Sequence, residues 1–568
     1  RQGYFGLEMM HPKIRTSLAG AALPTTLTPV YPAGEGITQT WLRKRIARAL
    51  LDVEIKDLIP ASILKQLKLP SLSEALRYLH HPPVGASLTA LDDRTDPAWL
   101  RLKFDELVAQ QVALRRSRAL KAAYLAPVIA PAHHPVTDQL RHTLPFSLTG
   151  AQKRVFEEIR TDLAKTTPMN RLVQGDVGSG KTVIAAMAAC LCIDNGMQAA
   201  LMAPTEILAE QHFEKIAQWL KPLGVQIVWL AGKQKMKEKQ LALQAIASGE
   251  AQLIVGTHAL IQEAVKFKRL GLAIIDEQHR FGVAQRLALR QTQNQQIPHM
   301  LMLSATPIPR TLAMSYLADL DVSVIDELPA GRKPITTKLV SLTRKNEVIS
   351  IINTQVKEGR QVYWVCPLIE ESEKIDLTAA TQTYEEICRD LLGLKIGLVH
   401  GALAPDEKQA VMQSFKNGQI DVLVATTVIE VGVDVPNATL MVIEHAERFG
   451  LAQLHQLRGR VGRGAQKSFC VLLYGELSDT GRERLKVIRE TQDGFEIARR
   501  DLEIRGPGEF LGARQSGVPL LRFADLEKDD RLLEAARDFA YRWLQTDPES
   551  AQRHAKRWLS GYEEFLEA

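Results

Sequence analysis

The chain has 568 residues, is 45% hydrophobic and 24% charged, and carries a net charge of +6 with 36 Gly and 27 Pro. This is ordinary globular usage, which excludes collagen-like, low-complexity and largely disordered classes; at about 100–200 residues per domain it implies about three to five domains. Residues 1–150 hold 19 Lys+Arg against 12 Asp+Glu (+7) and the remainder 52 against 53 (−1), so the excess lies in the first quarter and hints at nucleic acid or an acidic surface.

Residues 1–35, with Gly, Pro and short β-branched runs, read as strand and loop. The chain opens at Arg1 without a secretory signal, and a fragment or a processed protein is the expectation. Residues 36–135 read as helical: Trp41–Leu51 and Leu100–Tyr124 repeat apolar residues every three or four positions between Arg clusters, and Ala126–Pro135 reads as a linker. From about Pro145, short apolar runs alternate with amphipathic segments. Leu172-Val173, Ala199–Ala203, Leu253–Val255, Leu272–Ile275 and His299–Leu303 are strand candidates of a helix-covered parallel sheet. After a break at Pro329–Pro334 the alternation restarts with Val362–Val365, Gly397–Val399, Val422–Val424, Leu440–Ile443 and Phe469–Leu473. Residues 481–568 read as helical and charge-dense, interrupted at Arg505–Gly508.

No apolar run reaches the about 18–20 residues that span a bilayer; Val183–Ile193 stops at Asp194-Asn195-Gly196. Five Cys in 568 residues are no disulfide framework, and Cys190 and Cys192, one residue apart in a helical run, read as buried free thiols of a reducing cytosol.

Gly175-Asp176-Val177-Gly178-Ser179-Gly180-Lys181-Thr182 fits the phosphate-loop pattern between a strand and a helix. Glycines let backbone N–H groups converge on phosphate oxygens, and the helix N-terminus favours the anion. Lys181 is then the contact to the β/γ-phosphates of ATP and Thr182 a Mg²⁺ ligand. Leu272–Ile275 runs into Asp276-Glu277-Gln278-His279, which suits an acid site: Asp276 for the Mg²⁺ shell, Glu277 to orient and deprotonate water, His279 as a link to neighbouring elements. Ser304 and Thr306, in Ser304-Ala305-Thr306-Pro307, are hydroxyls that can couple this site to the rest of the domain; a polar turn is the plainer alternative. In Gln453-Leu454-His455-Gln456-Leu457-Arg458-Gly459-Arg460-Val461-Gly462-Arg463, closely spaced Arg and Gly suit guanidiniums delivered to the γ-phosphate from a second domain.

In this order the elements resemble the superfamily 2 helicases. The resemblance implies that Gln152 reads adenine, that Asp434 in Gly432–Pro436 touches ATP, and that Arg460 and Arg463 are the catalytic arginines. It also implies that Thr205 (Ala203-Pro204-Thr205-Glu206), Thr257 (Val255-Gly256-Thr257-His258) and Thr427 (Ala425-Thr426-Thr427) contact the nucleic-acid strand, with Val399-His400-Gly401 as a further element and Gln456 in a coupling role. Asp276–Val283 is similar to the RecG family of bacterial branch-migration helicases and to the transcription-repair coupling factor. Both carry a helical hairpin that residues 481–515 resemble, with Arg484 and Gln515 at its coupling positions. Pro29-Val30-Tyr31-Pro32 and Leu144-Pro145-Phe146 look like the RecG family rather than the coupling factor.

The implied fold is α/β, with two RecA-like parallel-sheet motor domains (136–330 and 331–480). Before them come a remnant of an OB-type wedge (1–35), most of it absent, and a helical linker region (36–135); after them comes the coupling hairpin with C-terminal helices (481–568). The implied activity is ATP- and Mg²⁺-dependent translocation on double-stranded DNA that remodels stalled forks and Holliday junctions. The expected protein is a monomer of the bacterial cytoplasm and nucleoid, without a membrane partner, and single-strand-binding protein is a further candidate partner. The coupling-factor motor and a DNA-binding scaffold with a decayed site are the alternatives.

Overall fold

The computed structural model describes residues 2–3, 6–7, 26–32, 36–122, 124–232, 234–278, 281, 285, 289, 296–305, 320–329, 333–367, 373–426, 435–462, 464, 466–505, 521–525 and 528–559. The chain divides into two units, 1–112 with 521–560, and 113–520 with 561–568.

The first unit contains the short antiparallel pair β1 (Gln2–Gly3) and β2 (Gly6–Leu7) and is otherwise helical. Its centre is the first part of helix Pro97–Ala122, where Leu102, Phe104, Leu107 and Val108 are buried. Arg101 is buried among them, yet its five N–H groups are all used: Asp105 and Asp57 each accept two, and the Pro70 carbonyl accepts one. A buried guanidinium is tolerated only when its donors are satisfied in this way.

Helices Asp530–Thr546 and Pro548–Trp558 belong to this unit. The sequence texture puts 481–568 together; the structure instead returns 521–560 to the N-terminal helices. The cause is a set of buried polar contacts. Lys103 pairs with Asp529 at 2.9 Å, and the Glu106 carboxylate accepts the backbone N–H of Arg522, Phe523 and Ala524 at 2.6, 2.9 and 2.9 Å. Phe104 stacks on Phe539, and Trp99 meets Phe523.

The second unit holds two parallel sheets. The first contains β3 (Asn170–Gly175), β4 (Gln198–Met202), β5 (Ile227–Leu230), β6 (Leu253–Gly256), β7 (Leu270–Ile275), β8 (His299–Ser304) and β9 (Asp321–Ile325), in the order β5-β6-β4-β7-β8-β3-β9. The second contains β10 (Thr336–Ser341), β11 (Gln361–Val365), β12 (Ile396–Val399), β13 (Val422–Ala425), β14 (Ala438–Ile443) and β15 (Phe469–Tyr474), in the order β10-β15-β14-β11-β13-β12.

Central strands are apolar throughout because helices cover both faces. Val173, Leu201 and Ile274 enter one core with helix Lys181–Asp194, while Leu172, Met202 and Ile275 enter the other. The apolar run Val183–Ile193 is thus a buried core helix, and among the described residues no helix is long and apolar enough to cross a membrane. Cys190 and Cys192 are buried free thiols, and burial pushes Cys192 up to about 12.

Residues 126–135 are no free linker. Ala126 and Ile129 donate to Thr166 and Leu163, and Ile129 is buried in a core of the first parallel sheet. The next helix, Pro135–Thr143, is capped from afar: Val136 and Thr137 N–H both donate to Asp194. The wedge expected in residues 1–35 lies largely outside the described residues.

Candidate nucleotide site

Strands β3, β8 and β7 are neighbours in one parallel sheet, so their C-terminal ends emerge side by side. At about 5 Å per strand, the loop after β3 and the acids after β7 lie about 10 Å apart, with Ser304 of β8 between them. Ligands of open parallel sheets bind at such carboxyl ends.

The loop after β3 turns on glycines. Gly178 and Gly180 have φ of +80° and +88°, a region that favours glycine. A Cβ on Gly180 would lie 2.3 Å from Gln152 Nε2, so the close approach also needs a glycine. Lys181 opens the helix and turns back on the loop, donating to the Gly175 and Asp176 carbonyls at 2.6 and 3.1 Å. Thr182 is half-buried in the first turn beside it. Val177 is buried, and so is Ser179, whose Oγ has no partner among the described residues.

Gln152 is a cap before it is anything else. Thr149 and Gln152 form a capping box, and the Gln152 Nε2 donates to the Ser179 carbonyl at 2.8 Å. Each amide atom keeps one further bonding site beyond these contacts.

Asp276 sits buried at the end of β7. Oδ1 accepts the Glu277 N–H at 3.0 Å, and Oδ2 accepts from His212 Nε2 at 2.7 Å. Burial opposes its charge, but the His212 hydrogen bond and the Lys181 charge outweigh burial and hold the carboxyl below the usual range. Glu277 goes the other way: burial, then the Asp276 charge, raise it, while Lys181, the Ala305 N–H and Arg460 pull it back. Two adjacent carboxyls with opposite shifts suit one permanent anion and one proton acceptor. Glu277 has φ of +49°, an uncommon conformation for a side-chain-bearing residue and of the kind that clusters at functional sites.

The half built on the second sheet closes on this site. A Cβ on Gly459 would lie 2.8 Å from Val177 Cβ, so the glycine lets helix Leu451–Arg458 end directly on the phosphate loop. His455 Nε2 donates to Asp176 Oδ1 at 2.6 Å. Arg460 is near enough for its charge to act on Glu277. Arg458 points elsewhere, donating to the Ile488 and Thr491 carbonyls at 2.6 and 2.9 Å, at the end of helix Asp479–Glu490. From that helix Arg484 returns to the Glu447 and Phe449 carbonyls.

The remaining candidates are spread out. Thr205 caps helix Glu206–Leu220, Thr257 holds a buried hydroxyl after β6, Ser304 is buried at the end of β8, and Gln456 is buried in helix Leu451–Arg458. It is the Ala305 backbone N–H that reaches Glu277, at 3.3 Å. His279, Thr306, Thr427, Asp434, Arg463 and Gln515 lie outside the described residues. His212 and His455 carry no individual mark in the sequence, while Arg458, grouped there with the arginines suited to the γ-phosphate, is instead spent on the Ile488 and Thr491 carbonyls. A histidine in an amphipathic helix carries no local mark, and the partners of His212 and His455 lie 64 and 279 positions away.

Two parallel-sheet halves, a phosphate loop with paired acids on one and arginines on the other define the class: a nucleotide-driven motor of the superfamily 2 helicase type. A DEAD/DEAH box helicase family model matches residues 149–315, a helicase conserved C-terminal domain model matches 343–465, and a model for domain 3, C-terminal, of ATP-dependent DNA helicase RecG matches 491–559. The chain is 51% identical over 577 residues to ATP-dependent DNA helicase RecG of Escherichia coli (strain K12), covering 100% of this chain and 83% of the relative. It is 51% identical over 572 residues to that of Haemophilus influenzae, covering 99% and 82%. A solved structure of RecG bound to a three-way DNA junction matches with a TM-score of 0.70 at 40% identity, covering 89% of this chain and 66% of that one. The chain belongs to the RecG family of ATP-dependent DNA helicases.

Proposed function

We propose that the chain hydrolyses ATP between its two motor halves to translocate on duplex DNA and so remodel branched DNA, forks and junctions, in recombination and repair. The observation that carries this reading is the closure of the two halves over the phosphate loop, His455 on Asp176 at 2.6 Å and Gly459 against Val177, which brings Arg460 near enough for its charge to act on Glu277. The activity is the family's, and the solved relative holds a three-way DNA junction.

The phosphate loop and the N-terminus of helix Lys181–Asp194 bind the triphosphate, and Lys181 leaves the loop carbonyls for its β/γ oxygens. The residues present fit Mg²⁺: Asp276 is a buried oxygen donor kept ionised next to Lys181, and hard oxygens suit that ion. Asp276 and Thr182 would hold it, and when bound it supplies charge neutralisation at the phosphates. Glu277, with its raised proton affinity, orients and deprotonates water, and Arg460 with Arg463 meets charge developing at the γ-phosphate. Gln152 with its remaining bonding capacity, and Asp434, contact the nucleotide.

Strand contacts at Thr205, Thr257 and Thr427 fall mainly on phosphates, so activity depends steeply on salt and little on sequence. His279, Ser304, Thr306 and Gln456, with Arg484 and Gln515 of the hairpin, link the site to translocation. A monomer, and contact with single-strand-binding protein, complete the reading; gel filtration and a pull-down test them. The decisive experiment is ATP turnover with and without branched DNA. Stimulation by forks is expected, and equal rates would overturn the motor reading.

A further inference from the structure

Helix Glu206–Leu220 runs between the acid site and the second motor half. Thr205 caps its start, Oγ1 accepting the Leu208 N–H at 3.3 Å. One face meets the second motor half: Ile207 packs on that half's core, both Glu210 oxygens accept from Gln409 at 2.8 Å, and Glu214 pairs with Lys416 at 3.2 Å. His212, buried, meets Asp276 at 2.7 Å. Thr205 and His212 are seven residues apart, about two turns, so they lie near one line along the helix.

The geometry at Asp276 gives His212 a specific task. A carboxylate at a strand end can turn about its last torsion. Here Oδ1 is held by the Glu277 N–H and Oδ2 by His212. Donors from two directions fix the carboxylate plane and leave a lone pair on each oxygen for a cation or its waters. Without His212 a buried anion loses the strongest hydrogen bond that offsets its desolvation and is free to turn toward Lys181. Groups that orient a metal ligand in this way typically affect metal affinity or activity by about 10–100-fold.

We propose that His212 is a positioning residue of the ATPase reaction, fixing the Asp276 carboxylate for the divalent cation and making that placement depend, through its helix, on the seating of the second motor half. The inference rests on the reading of Asp276 as a Mg²⁺ ligand. It gives the acid site a second line to the other half, separate from the arginines: one helix carries both the Asp276 contact and the contacts to helix Pro405–Lys416.

The test is binding of a fluorescent, non-hydrolysable ATP analogue with and without Mg²⁺, in the parent and in His212→Ala, His212→Gln, His212→Asn and Asp276→Asn. Affinity without Mg²⁺ is expected to stay near the parent value in the three His212 variants. The tightening produced by Mg²⁺ is expected to fall about 10-fold in His212→Ala and to return in His212→Gln, whose amide nitrogen reaches the Nε2 position, but not in the shorter His212→Asn. If His212→Ala does not fold, the Gln and Asn pair decides alone. Full tightening in His212→Ala or His212→Asn, with loss in Asp276→Asn, overturns the role of His212 only. Full tightening in Asp276→Asn overturns the reading of Asp276 beneath it. Gln409→Ala with Lys416→Ala should reduce the tightening by about 2–3-fold, as expected for exposed contacts acting at a distance; no change removes the dependence on the second half.

Discussion

His455 of the second motor half hydrogen-bonds Asp176 of the phosphate loop at 2.6 Å, and its other ring nitrogen accepts from Arg458 at 3.0 Å. An arginine can only donate, so Nδ1 accepts and the proton sits on Nε2, facing Asp176. The loop that would hold phosphate is therefore tied to the opposite half by a hydrogen bond to a charged group, a kind that contributes about 1.5–3 kcal/mol. His455→Ala should loosen the two halves. Dyes placed one on each half should show lower transfer efficiency in the nucleotide-free protein; an unchanged efficiency would refute the tie.

Gly459 and Val177 make a second contact between the halves, through shape alone. A Cβ on Gly459 would stand 2.8 Å from Val177 Cβ. Gly459→Ala should therefore raise the KM for ATP, at a cost of about 1–3 kcal/mol for overpacking. Val177→Ala made in the same chain should recover part of the loss, and a double-mutant cycle with no coupling energy would show that the two do not meet.

Lys181 and Arg460 face the same nucleotide from opposite halves but should fail differently. Lys181→Ala should lower turnover by more than about 100-fold while leaving fork binding close to the parent value. Arg460→Ala should lower kcat by about 1,000-fold with nucleotide still bound, and Arg460→Lys should not rescue it, because an ammonium lacks the planar fork. Steady-state kinetics with fork DNA measure both, and near-parental turnover in either Ala variant contradicts its assignment.

His554 makes a contribution to the first unit that acid removes, while Asp105, buried against it and pushed up to about 7, contributes in the opposite sense. Burial, together with the charges of Arg101 and Arg557, pushes His554 from 6.5 down to about 4, against a hydrogen bond to the Asp105 carbonyl. The unfolded chain takes up the proton near pH 6.5 and the folded chain only near 4. The His554 share of stability is therefore present above 6.5 and is lost as pH falls from there toward 4, by roughly 3 kcal/mol. Hydrogen exchange in helix Pro548–Trp558, compared between the parent and His554→Gln, isolates that share. The exchange rate of the parent relative to the variant should rise as pH falls across that window, and a ratio that does not change with pH would remove His554 from the account.

The phosphate loop, the Asp276-Glu277 pair and the central strands were legible because their signals are local. Glycines, a lysine and an apolar run are enough when a strand is buried on both faces. Strands β5, β9 and β10 escaped that reading. They lie at sheet edges and are mostly only partly buried; Asp321 and Lys338 break the apolar pattern of β9 and β10, and β5 is a run of only four residues. His212, and the turn of Arg458 away from the phosphate, escaped for another reason: both depend on partners that only the folded chain brings near. The return of helices 530–558 to the first unit was equally hidden, since Lys103 and Asp529 read as ordinary surface charges until they are found buried together.

That return bears on the order in which the chain can fold. Residues 113–520 are contiguous and can condense while synthesis continues, whereas the helical unit takes its two segments from either side of them. The Glu106 carboxylate and the Lys103 ammonium wait for residues 522–529 before their charges are compensated. The helices of residues 36–112 would therefore emerge from the ribosome before residues 113–520 and reach their native packing after them. Long-range closure of this kind is slow and leaves apolar surface exposed in the interim, which makes Phe104 and Trp99 candidate contacts for a chaperone on the nascent chain.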